Sequence, residues 1–140
     1  MKIVFIFNDN KELMLQQRAS HKYHSPDLWT NTCCSHQRDG ESSLEAGKRR
    51  LQEEMGFVVN LSETASFIYK APFDNGLTEY EYDYILIGNY NKEPKPNKDE
   101  VKSWKWMEIE AVKEDINMNP HNYTAWFKII FENYYKKITL

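Results

Sequence analysis

The chain has 140 residues, 41% of them hydrophobic and 28% charged, with a net charge of −3. Such a chain fits one soluble domain, 1–140, able to bury roughly 68–70% of its unfolded surface. The slight acidic excess excludes a general nucleic-acid binder and a basic membrane-surface protein, so any anionic ligand has to be held by locally placed cations.

The chain's two cysteines, Cys33 and Cys34, are adjacent. Neighbouring cysteines on an extended chain point apart and do not bridge each other. Without a disulfide framework, the expected compartment is reducing and cytoplasmic. The apolar run 3–7 is too short for a signal peptide or a membrane helix.

In chain order, residues 2–7 read as a strand, closed by the turn Asn8-Asp9-Asn10, and 12–17 as its hairpin partner. A polar loop, 18–27, carries Arg18, His21, Lys22 and His24, and the two histidines are expected at the surface. Residues 28–34 read as extended. A helix opens at about Ser42, with Ser42 or Ser43 as N-cap and Gly56 as C-cap, and Leu44, Leu51 and Met55 form its apolar stripe. Strands are predicted near 57–60, 65–71 and 79–88, the last two joined at Asp74-Asn75-Gly76. A loop at 92–98, a strand at 101–107, a helix at 108–114 and a longer amphipathic helix at 121–137 complete the chain. The pattern predicts an α/β architecture with a mixed sheet.

Three constellations carry candidate chemistry. In Thr30-Asn31-Thr32-Cys33-Cys34-Ser35-His36, a two-residue period places Thr32, Cys34 and His36 on one face, where thiol and imidazole serve as proton donor and metal ligand. The competing reading is a buried cysteine beside a surface histidine. In the stretch 79–84, Glu79, Glu81 and Asp83 alternate with tyrosines. One face so made holds a divalent cation or a general acid/base, or is simply the solvated acidic face of an edge strand. On the helix 42–56, Arg49 and Glu53, and Arg50 and Glu54, face each other four residues apart.

The spacing of Glu41, Arg49, Glu53, Glu54, Gly56 and Phe57 resembles the Nudix box, a loop–helix–loop whose acidic helix face holds metal ions on a diphosphate. Two positions depart from it. Ser35 stands in place of the opening glycine, and Arg50 in place of the central glutamate. An arginine there repels a metal cluster yet grips a diphosphate through paired hydrogen bonds.

Those departures resemble the type I isopentenyl-diphosphate isomerases, and the resemblance covers almost the whole chain. Its motifs are Trp29 through His36, the Arg49-Arg50 pair, Gly76-Leu77-Thr78-Glu79-Tyr80-Glu81, and Glu100-Val101 followed by Trp106 and Trp126. The resemblance implies a Nudix-like α/β/α sandwich. It makes Cys34 and Glu81 catalytic across the substrate, with Tyr69 assisting protonation. Metal ligands would be His36, Glu79 and Glu81 for a Zn²⁺ or Mn²⁺ ion, and Glu54 for a Mg²⁺ ion on the diphosphate. Arg18, Lys22 and Arg50 would hold the phosphates, and Trp126 would face a developing carbocation. The family carries a further segment ahead of the position of Met1, with two histidines that complete its metal site, so the resemblance implies a thinner ligand set here. The expected partner is a small-molecule diphosphate, with no nucleic acid or membrane, and the chain is expected to act as a monomer or weak homodimer. A Nudix hydrolase of a nucleoside diphosphate derivative is the alternative, as is a diphosphate-binding paralogue with impaired chemistry.

Overall fold

Six successive residues of Lys2–Phe7 (β1) are buried, the signature of a strand covered on both faces. The computed structural model describes residues 1–72 and 78–138. The predicted Asp74-Asn75-Gly76 turn lies outside the described residues, as do Gly76-Leu77 and the side chain of Glu79. The other strands are Glu12–Arg18 (β2), Trp29–Thr30 (β3), Cys33–Ser35 (β4), Ser62–Pro72 (β5), Thr78–Asn89 (β6) and Val101–Glu108 (β7). They form one mixed sheet running β3-β2-β1-β6-β5, with β4 added to β1 and β7 to β2. β1 and β6 are parallel, and the other pairs are antiparallel.

The two faces of β1 feed two cores. Ile3, Phe5 and Phe7 join Phe127, Ile130 and Phe131 on one side. Val4 and Ile6 join Leu51, Met55 and Phe57 on the other. The helices therefore lie on opposite faces: Ser43–Met55 (α1) on one, and Ile109–Met118 (α2), Ala125–Asn133 (α3) and the short Tyr135–Ile138 (α4) on the other. This is the expected α/β/α arrangement. Among the described residues, no helix is long and apolar enough to cross a membrane.

Helix α1 starts where the sequence placed it. Ser42 accepts from the Glu45 backbone N–H while Glu45 reaches back to the Ser42 N–H, a complete capping box. Gly56 closes the helix in the left-handed region, with φ 76°. The apolar stripe is shifted, however. Leu44 is exposed, and Ala46 and Gly47 are buried beside Leu51 and Met55. Gly47 is needed there for close approach, because an added Cβ would stand 2.7 Å from Leu86 Cδ1.

Four expectations are corrected. Residues 57–60 form no strand. The pairing of β5 with β6 begins only at Ser62, opposite Ile87. The predicted 108–114 helix starts at Ile109 and runs on to Met118. The predicted helix 121–137 is broken twice. Thr124 is extended because its N–H donates to Trp29 O and its hydroxyl meets that of Thr30 at 2.8 Å. The second break falls at Tyr134, which stacks on Phe67.

The fourth correction concerns 28–34, which is two short strands separated by Asn31-Thr32. Thr32 does not share a face with Cys34 and His36. β1 pairs with β2 at Phe7 and with β4 from Lys2 to Val4, and Thr32 fills the fork between them. Its hydroxyl accepts from Ile6 N–H at 3.0 Å and donates to Met14 O at 2.7 Å, while its own N–H donates to Val4 O. Replacing that buried hydroxyl with a methyl leaves two backbone groups unpaired. Thr32→Val is expected to destabilise the fold by about 1–3 kcal/mol, read as a lower urea midpoint at unchanged m-value.

Candidate active site

Cys34 on β4 is opposite Ile3 of β1, and Tyr84 of β6 is opposite the neighbouring Lys2. The start of β1 thus lies between the cysteine strand and the acidic strand, paired with both. Just beyond β4, His36 Nδ1 lies 3.7 Å from Glu81 Oε1. His36 is 79% exposed and Glu81 22%, so the pair sits at the mouth of the site. Tyr69 of β5 is directly opposite Glu81 in the β5–β6 register and packs against the core beside α3. Cross-strand partners share a face, so Tyr69 and Glu81 are on the same side of the sheet.

The alternation along β6 is the reverse of a solvated acidic face. Tyr80 and Tyr82 are exposed, whereas Asp83 is fully buried. Burial pushes the Asp83 carboxyl up to about 6 despite the nearby positive Met1 ammonium. That ammonium lies 3.1 Å from both Glu81 and Asp83.

Cys33 and Cys34 point to opposite cores. Cys34 keeps slight solvent contact, yet desolvation drives its thiol up to about 12. A hydrogen bond from Asn31 and the charge of Arg18 oppose that rise, and the charges of Glu54 and Asp83 add to it. The Asn31 carbonyl also accepts from the indole N–H of Trp126 at 3.1 Å. The Arg18 guanidinium lies 5.4 Å from the centre of the Trp126 ring and donates to His24 O. Cys34 and Trp126 therefore share one amide, with Arg18 against the Trp126 ring.

A second cluster is built on α1. Arg50 pairs with Glu53 at 3.2 Å, with Glu54 at 3.1 Å and with Glu100 at 3.5 Å, and Lys22 also pairs with Glu100. Arg49 binds Glu41 and Glu53 and donates to His36 O, tying the helix to the loop that carries His36. The expected pairs four residues apart are both present. Glu54 is buried, its Oε2 has no hydrogen-bond partner, and burial lifts its carboxyl to about 7 against the pull of Arg50.

Among the described residues, no three His, Cys, Asp or Glu side chains are grouped for a metal ion. His36 and Glu81 are together, and the backbone of Glu79 lies opposite Ala71 on the same strand as Glu81. Glu54 belongs instead to the α1 cluster. His21 and His24 are at the surface, as expected. Two residues that the sequence reading gave no role in the site contribute to it. Asn31 was visible from its place in the cysteine motif. The pairing of Glu100 with two cations had no local signal.

The sheet order, the helix on each face and the loop–helix–loop on α1 define a Nudix-fold protein. Residues 2–127 match the NUDIX domain family model, and the fold is similar to that of the MutT protein from Methanosarcina mazei Go1. That structure superposes with a TM-score of 0.76 at 17% identity, covering 97% of this chain and 91% of the other. The sequence is 50% identical over 127 residues to Isopentenyl-diphosphate Delta-isomerase 2 of Photorhabdus laumondii subsp. laumondii, covering 91% of this chain and 72% of the relative. It is 45% identical over 130 residues to the Isopentenyl-diphosphate Delta-isomerase of Serratia proteamaculans, covering 93% of this chain and 73% of that one. The chain belongs to the isopentenyl-diphosphate Delta-isomerase family within the Nudix fold.

The raised Glu54 carboxyl has a measurable consequence in metal-free protein. A carboxyl whose folded value exceeds its unfolded value contributes stability below about 4.5 and loses it as pH rises through about 7. Glu54→Gln removes this dependence. Between pH 4.5 and 8 the wild type is expected to lose on the order of 2 kcal/mol relative to the variant, measured by urea unfolding at each pH.

Proposed function

We propose that this chain interconverts isopentenyl diphosphate and dimethylallyl diphosphate by protonating the alkene and removing a proton from the opposite side. The observation that carries the reading is the 3.7 Å approach of His36 to Glu81, which brings the end of the cysteine strand against the acidic strand. A thiol with a value of about 12 holds its proton at neutral pH, so Cys34 enters the cycle as an acid and Glu81 serves as its partner base. Tyr69, opposite Glu81, assists the protonation. A weakly basic alkene needs such an acid in a site closed to water, and the Trp126 ring offers a π face to the tertiary cation. Arg18, Lys22 and Arg50 hold the diphosphate.

The donor set suits divalent cations. Two ligands of one ion, each about 2.0–2.2 Å from it, stand roughly 3–3.5 Å apart, near the His36–Glu81 separation. In this reading His36, Glu81 and Glu79 would hold a Zn²⁺ or Mn²⁺ ion, and Glu54, whose Oε2 has no hydrogen-bond partner among the described residues, would hold a Mg²⁺ ion. When bound, the ions neutralise diphosphate charge and fix the carboxylates. A hydrolase reading is weaker, because Arg50 stands in place of the box's central glutamate and engages Glu53 and Glu54, acids that a hydrolytic metal cluster would need.

Incubation with isopentenyl diphosphate, Mg²⁺ and Zn²⁺ in deuterated water is expected to give the isomer and deuterium in both compounds. Neither product nor deuterium would reject the assignment. Cys34→Ala is expected to lower kcat by about 10²–10⁴-fold. Arg50→Gln is expected to raise KM by about tenfold with a smaller change in kcat, since it removes a headgroup contact and leaves the proton-transfer groups in place.

A further inference from the structure

Asn31 is fully buried and its amide is saturated. Its Nδ2 donates to Val4 O at 3.1 Å and Cys33 O at 2.6 Å, and stands 3.4 Å from Cys34 Sγ. Its Oδ1 accepts from Trp126 Nε1 at 3.1 Å and from the Thr30 hydroxyl at 2.8 Å, and stands 3.7 Å from the same sulfur. An amide has two N–H donors and two acceptor lone pairs. The indole N–H only donates and the two carbonyls only accept, so the amide cannot turn over without losing its bonds to Trp126, Val4 and Cys33. It therefore has one orientation, and both Cys34 and Trp126 take theirs from it.

Resting on the isomerase reading, we propose that Asn31 is a positioning residue that fixes the Cys34 thiol and the Trp126 ring relative to each other. Cys34 is on β4 and Trp126 on α3, two elements joined here through Asn31. The amide is the one polar group that contacts both among the described residues. Proton delivery and shielding of the resulting cation have to coincide at one carbon, and displacements of the order of 1 Å cost about a hundredfold in rate. Asn31 itself touches neither the headgroup cations nor Glu81 among its hydrogen bonds.

The test is a double-mutant cycle on turnover. Asn31→Ala is expected to lower kcat by at least about tenfold with KM changed less than about threefold. Trp126→Phe keeps a π face and loses the N–H. In the Asn31→Ala background it is expected to cost much less than in the wild type, because the orientation it would lose is already gone. An unchanged kcat for Asn31→Ala, a loss confined to KM, or single effects that simply multiply would each overturn the proposal. If Asn31→Ala does not fold, Asn31→Asp keeps the volume and the acceptor for Trp126 while removing the donors. It is expected to lower kcat with the tryptophan emission unchanged, and a wild-type kcat would overturn the proposal. Inactivity of the wild type would instead count against the isomerase reading.

Discussion

The fork between β1 and β2 is the constraint on which the rest depends. β1 uses one edge for two partners, β2 at Phe7 and β4 from Lys2 to Val4. Two strands diverging in this way expose backbone groups in the protein interior, where an unpaired donor or acceptor is costly. Asn31 and Thr32 satisfy them. Thr32 bonds Ile6, Met14 and Val4, Asn31 bonds Val4 and Cys33, and Gln16 adds a bond to Thr32 O. The same two residues start β4 at a fixed point, so the cysteine and the histidine after it inherit their place from a backbone-pairing problem.

Much of this was legible in the sequence where a local pattern and the tertiary fold agree. The β1 run, the Ser42 cap and the Gly56 stop all satisfy local rules, and all stand as read. The failures have tertiary causes. Residues 57–60 look like a strand, yet β5 begins only at Ser62, and Phe57 packs into the core beside α1 and stacks on Tyr90. The stretch 121–137 has helical periodicity, yet Thr124 gives its backbone and side chain to β3. Within the site, the cysteine motif, the arginine pair and the acidic strand were each readable as separate segments. The junctions between them were not, because Glu100 reaching Lys22 and Arg50, and Asn31 reaching Trp126, join residues that no sequence period relates.

The reversal on β6 shows how burial decides a role that spacing leaves open. The same alternation of acids and tyrosines fits an edge strand with carboxylates in water. Here Tyr80 and Tyr82 face outward and Asp83 is enclosed, with Glu81 partly covered beside it. Carboxylates turned toward protein rather than water are desolvated, and they then attract cations or protons strongly. Asp83 takes the first effect fully, and Glu81, nearer the mouth, keeps access to His36 and to a ligand.

Glu100 stands between two cations, Lys22 and Arg50. In the proposed reaction, an oxyanion arriving at Lys22 and Arg50 would exchange places with a carboxylate rather than fill an empty positive hollow. The hold on that anion would be a difference between two similar attractions, smaller than either alone. Such a balance would favour release of a headgroup after turnover, which suits the proposed chemistry, in which the molecule that leaves bears the same headgroup as the one that arrived.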